Sequence, residues 1–125
     1  MPTFTPWGVS DTEQQIAPGI VGYTTASHGG YHLSAERLAE LPPAWRSVHG
    51  YAAGWYEEDC TWSLVVLAFP EAFDAFTLTY ALPCAERWCA DLLDDWPEAM
   101  RERYFACLEV AQHATAAAIR EAAAS

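Results

Sequence analysis

The hydrophobic pattern changes character along the chain. In the first third, apolar and polar positions alternate in short runs broken by turn residues, a pattern that predicts strands. Residues 13–17 and 20–25 flank Pro18-Gly19 and read as a hairpin, with Pro-Gly as its turn. Ser27-His28-Gly29-Gly30 reads as a second turn, with positive φ expected at the glycines, and a short strand follows at 31–33. Ser34 is placed to cap a helix over 35–41, which Pro42-Pro43 stops. Residues 44–56 show no period and contain Gly50 and Gly54, so they are expected to be irregular.

Helical spacing dominates afterwards. Residues 60–69 form a dense apolar run headed by Glu57, Glu58 and Asp59. Carboxylates suit a helix N-terminus, yet so short a run also suits a buried strand. Residues 73–82 stay open between the two. Pro83 is expected to open a helix over 84–93, and Asp95-Trp96-Pro97-Glu98 resembles a capping box for a second one. Met100, Tyr104, Cys107, Leu108, Ala111, Thr115, Ala118 and Ile119 then recur at three- and four-residue steps, so this last helix runs to about Ala122. Its Ala-rich end suits close packing on another helix, its own or that of a second copy in a homodimer. The expected class is α+β: a single domain, residues 1–125. An N-terminal β-hairpin or small antiparallel sheet packs against three to four helices, with a long C-terminal helix.

Composition narrows the partners. The net charge is −11, and all six basic residues are Arg. Clustered positive charge for nucleic-acid phosphates is missing, and an anionic membrane surface is equally disfavoured. The N-terminal residues have neither a basic segment nor an apolar one of signal-peptide type, and the longest apolar run, 64–69, is far too short to span a bilayer. A cytoplasmic location is therefore expected, with Cys60, Cys84, Cys89 and Cys107 as reduced thiols serving as small core side chains. No C-x-x-C pair occurs, and Cys84 and Cys89 would lie on different faces of one helix. No metal and no cofactor is expected.

Four segments recur in a recognisable order: Thr5-Pro6-Trp7-Gly8; Ala17-Pro18-Gly19-Ile20; Ser27-His28-Gly29-Gly30 with Leu33-Ser34; and Trp55-Tyr56-Glu57-Glu58-Asp59-Cys60 with Phe69-Pro70. Over residues 4–75 the chain resembles an uncharacterised domain of plasmid, phage and integrated-element proteins of proteobacteria. The resemblance implies a mobile-element origin and no catalytic residues. It also implies a class of functions, because small proteins of such elements often disarm host defence, restriction and CRISPR systems included.

Three sets of residues carry candidate chemistry. Cys60 with His28 would make a nucleophile and base, but Glu57, Glu58 and Asp59 beside the thiol oppose the thiolate that chemistry needs. His28, His32 and one of those acids would make a His–His–carboxylate metal set; the simpler expectation is an ion pair from His28 that ties the hairpin to the acids. Asp91, Asp94, Asp95, Glu98 and Glu102 form the third set, a stripe across the joint of two helices, with Trp88 and Trp96 as apolar anchors and Glu57, Glu58 and Asp59 as a second acidic spot. Arg87, Arg101 and Arg103 lie within the stripe and would cancel part of it. The function expected from these residues is stoichiometric inhibition of a host defence complex, anti-CRISPR or anti-restriction. The carboxylates would occupy a basic nucleic-acid-binding groove of the partner, with no direct contact to nucleic acid or membrane and no enzyme activity. The alternatives are a small Cys–His hydrolase or transferase and a non-enzymatic interaction module of plasmid maintenance.

Overall fold

A computed structural model describes residues 3–124. Strands β1 (Phe4–Thr5) and β2 (Gly8–Val9) form a small antiparallel ribbon. Strands β3 (Thr12–Ala17), β4 (Ile20–Thr24), β5 (Gly29–Leu33) and β6 (Trp55–Glu57) form an antiparallel sheet in that order. The β3–β4 hairpin turns at Pro18-Gly19 as the sequence predicts. Gly19 has φ +80°, and a Cβ there would strike the Ser34 hydroxyl.

The second turn differs from expectation. Gly29 and Gly30 are not in the positive-φ region; both lie in β5, which starts two residues earlier than predicted. Close approach, not turn geometry, requires them. A Cβ at Gly30 would strike the Tyr56 carbonyl oxygen and the Trp7 ring, and one at Gly29 would reach the Tyr23 carbonyl oxygen. Strand β6, which begins inside the stretch 44–56 expected to be irregular, pairs Trp55, Tyr56 and Glu57 with His32, Tyr31 and Gly30.

Helix α1 (Ala35–Ala39) starts as predicted, with the Ser34 hydroxyl accepting from the Arg37 N–H at 3.2 Å, and ends sooner. The apolar run becomes helix α2 (Trp62–Ala68), whose residues other than Trp62 are buried. The acids do not head this helix. Glu57 is in β6, Thr61 takes the cap position, and the Thr61 hydroxyl accepts from the Glu57 N–H.

Helix α3 (Ala75–Trp88) absorbs the ambiguous segment and carries Pro83 inside it, not at its start. Asp74 caps it, accepting from the Thr77 N–H at 2.8 Å, while Leu78, Ala81 and Ala85 are buried at helical steps. The bond lost at Pro83 leaves only the carbonyl of Thr79, an exposed residue. A 3-10 segment, Ala90–Asp95, replaces the predicted end of that helix, and Cys84 within α3 and Cys89 at its C-cap both reach the same backbone carbonyl, that of Cys60.

Helix α4 (Glu98–Ala124) has the predicted length, but its buried face stops early. Met100 and Tyr104 are buried and Cys107, Leu108 and Ala111 are half-buried, whereas Thr115, Ala118 and Ile119 are exposed. The core therefore sits around α2, between the sheet and α3 with the first half of α4. Trp45 seals one end by donating its indole N–H to the Leu92 carbonyl at 2.7 Å.

Candidate functional site

Segments of the sequence motifs meet in space. The Trp7 ring lies edge-on to Trp55 (5.7 Å between centroids) and to Tyr51 (5.8 Å), over the bare Cα of Gly30. His28, in the turn before β5, sits with Nδ1 3.8 Å from Glu58 Oε1 and 3.9 Å from Asp59 Oδ2. The expected link between the Ser27–Gly30 segment and the acids is thus present, as an ion pair whenever His28 is protonated.

Cys60 does not pair with His28. Its Sγ lies 3.3 Å from Nδ1 of His49 and donates to Oε1 of Glu57 at 2.8 Å. His49 Nδ1 is 3.8 Å from the same carboxylate oxygen, and Glu57 Oε2 accepts from the Tyr51 O–H at 3.1 Å. Burial first, and then the bond to Glu57, push the Cys60 thiol up to about 12. It stands as a thiol at neutral pH, the opposite of what an attacking sulfur needs. His49 and Tyr51 escaped the sequence reading because they lie in an aperiodic loop. The one local signal is His49-Gly50, where His49 takes φ 52° and Gly50 φ 78°.

The His28–His32–carboxylate set does not form. His32 stacks on Trp55 at 4.4 Å, and its partial burial lowers its pKa. Among the described residues, the group whose ligand atoms converge closely enough for a metal ion is His49, Glu57 and Cys60.

The acidic stripe is built differently. Asp91 and Asp94 are exposed on the 3-10 segment, where residues three apart eclipse one another. Asp95 ends that segment, and exposed Glu98 and Glu102 share one face of α4. The arginines expected to cancel part of this charge form no ion pair with it, although Arg87 and Arg101 stay beside it. Arg87 lies over the Trp88 ring at 5.0 Å and Arg101 over the Trp96 ring at 5.2 Å. Arg103 pairs with Glu71 at 2.8 Å and donates to the Ala68 carbonyl. Among the described residues no ion pair reaches any of the five carboxylates.

One of the two anchors and one of the acids need correction. Trp88 is 56% exposed, but the Trp96 side chain is buried against Tyr104 and Phe105 of α4. Glu57 turns inward to Cys60 and Tyr51, so Glu58 and Asp59 alone face solvent there.

The fold and these sites define an α+β domain in which a four-stranded antiparallel sheet packs on helices, and none of its clusters positively indicates an enzyme activity. The chain belongs to the DUF7007 family, a domain of unknown function whose profile matches residues 1–124. Neither the curated proteins nor the solved structures yield a significant match. Among the described residues no helix is long and apolar enough to cross a membrane.

Proposed function

We propose that this chain is a mobile-element protein that inhibits a host defence complex, of the CRISPR or restriction type, by stoichiometric binding. The exposed carboxylates of the segment from Asp91 to Glu102 enter a basic groove that otherwise holds nucleic acid. One observation carries the reading: Asp91, Asp94, Asp95, Glu98 and Glu102 are exposed and without ion pairs, while Arg87 and Arg101 lie on tryptophan rings and Arg103 on Glu71. Carboxylates without ion-pair partners stay available to a basic partner, and although Arg87 and Arg101 offset part of the local field, the net charge of −11 adds to it at long range. Trp88 supplies an apolar contact beside them. The mobile-element origin rests on the motif resemblance, whose tryptophan, glycine and acidic segments pack together around Trp7.

The test is competition between this protein and nucleic acid for a CRISPR or restriction complex. Changing Asp91, Asp94 and Asp95 to Asn together with Glu98→Gln is expected to remove inhibition while leaving the fold intact. Inhibition by this variant equal to that of the unaltered chain overturns the groove mechanism. A homodimer through the exposed end of α4 is a further proposal, and sedimentation at several concentrations checks it.

The Cys60–His49 contact favours one other reading, a Cys–His hydrolase or transferase. The Glu57 bond that keeps the sulfur protonated weighs against it. Loss of function in Cys60→Ala at far below one molecule per target would establish the enzyme.

A further inference from the structure

We propose that His49, Glu57 and Cys60 form a binding site for one zinc ion. Two pieces of chain converge here: the loop before β6, and the stretch from the end of β6 to the turn before α2. Each residue contributes one donor atom, with Sγ–Nδ1 at 3.3 Å, Sγ–Oε1 at 2.8 Å and Nδ1–Oε1 at 3.8 Å. Zinc bonds of about 2.0–2.3 Å at tetrahedral angles place such donor atoms roughly 3.3–3.6 Å apart. The edges of 3.3 and 3.8 Å lie at or near that range, and the short edge of 2.8 Å, which holds the thiol proton, widens when an entering ion displaces that proton to solvent.

Donor chemistry selects the ion. One thiolate, one imidazole and one carboxylate form a borderline set that suits zinc and disfavours the hard cations magnesium and calcium, which take oxygen ligands. Thiolate and carboxylate together balance the two charges of the ion.

The surrounding bonds have the form that metal sites use to hold their ligands. Glu57 keeps its second oxygen on Tyr51 and its N–H on Thr61, at 3.1 and 2.7 Å. The Cys60 carbonyl accepts from the Ser63 hydroxyl at 2.7 Å. The His49 side chain is 40% exposed, which gives the ion a way in and leaves a fourth position for water. The neighbouring group of His28, Glu58 and Asp59 has no sulfur and wider spacings, so it serves as the internal control.

The experiment strips the full chain with a chelator and titrates it with zinc, and separately with cobalt(II) as a spectroscopic probe. One ion per chain and a cobalt–thiolate charge-transfer band are expected. His49→Asn, which tolerates the left-handed backbone, and Glu57→Gln are each expected to weaken binding at least tenfold. Cys60→Ser loses the band, whereas His28→Ala keeps band and affinity. Circular dichroism of the metal-free variants confirms that they fold, and His49→Asn decides the matter if Cys60→Ser does not. Absence of the band in the unaltered chain, unchanged affinity in His49→Asn, or a band that survives Cys60→Ser and disappears in Cys84→Ser or Cys89→Ser overturns the site.

Discussion

The thiol of Cys60 donates to Oε1 of Glu57 across 2.8 Å, and the two residues are only three apart in sequence. A turn between β6 and α2 is what brings them together. The contact has a consequence for stability at high pH. The Cys60 thiol ionises at its ordinary 9.0 in the unfolded chain and is pushed up to about 12 in the folded one. The unfolded state therefore loses its proton first as pH rises. Stabilisation from this group is complete below pH 9 and disappears between pH 9 and about 12. Cys60→Ser keeps an O–H for Glu57 and does not titrate there. Urea unfolding of the two proteins at a series of pH values is expected to show the unaltered chain losing stability more steeply than the variant. Cys89, itself pushed up to about 11, is common to both. Parallel pH profiles would contradict the assignment.

Gly30 is held by what surrounds it, and Gly50 only by its backbone angle. A methyl at position 30 meets the Tyr56 carbonyl and the Trp7 ring, while position 50 has φ 78° and open space around it. Gly30→Ala is expected to cost about 2–3 kcal/mol through overpacking, and Gly50→Ala about 1 kcal/mol through strain in the left-handed region. Thermal melts of the pair check the order, and equal costs would mean that neither the Tyr56 carbonyl nor the Trp7 ring closes over Gly30.

Two buried indoles separate packing from hydrogen bonding. Trp45 donates to the Leu92 carbonyl, whereas the Trp96 N–H is buried without a partner. Phenylalanine at position 45 strands an acceptor, and at position 96 it removes an unsatisfied donor. The loss of stability for Trp45→Phe is expected to exceed that for Trp96→Phe by about 1–2 kcal/mol. Denaturant midpoints of the two variants measure it directly.

Local signals were readable where one residue decides the structure. Pro18-Gly19 marked the hairpin, Ser34 the start of α1, and the three- and four-residue steps from Met100 to Ala111 the buried half of α4. The misses share one cause, which is that a distant partner settles the local choice. Strand β6 is three residues long and exists because β5 is there to pair with it. Pro83 argued for a helix start, but Asp74 begins the helix nine residues earlier and the packing of Leu78, Ala81 and Ala85 carries it through. Ile119 keeps the spacing of a core position yet is 64% exposed. At the sites, Cys60 and its acids stood out in the sequence, but its histidine did not. His28 and His49 have similar local surroundings, each next to glycine, and only the loop entering β6 decides which one reaches the sulfur.

The acidic face gives the account its sharpest test. The affinity of the unaltered chain for a CRISPR or restriction complex, measured at increasing salt, is expected to fall steeply as screening shortens the reach of the five carboxylates. The variant with Asn at 91, 94 and 95 and Gln at 98 is expected to bind weakly at every salt concentration. Tight binding that ignores both salt and the loss of these charges would contradict the account and would move the interface to another surface.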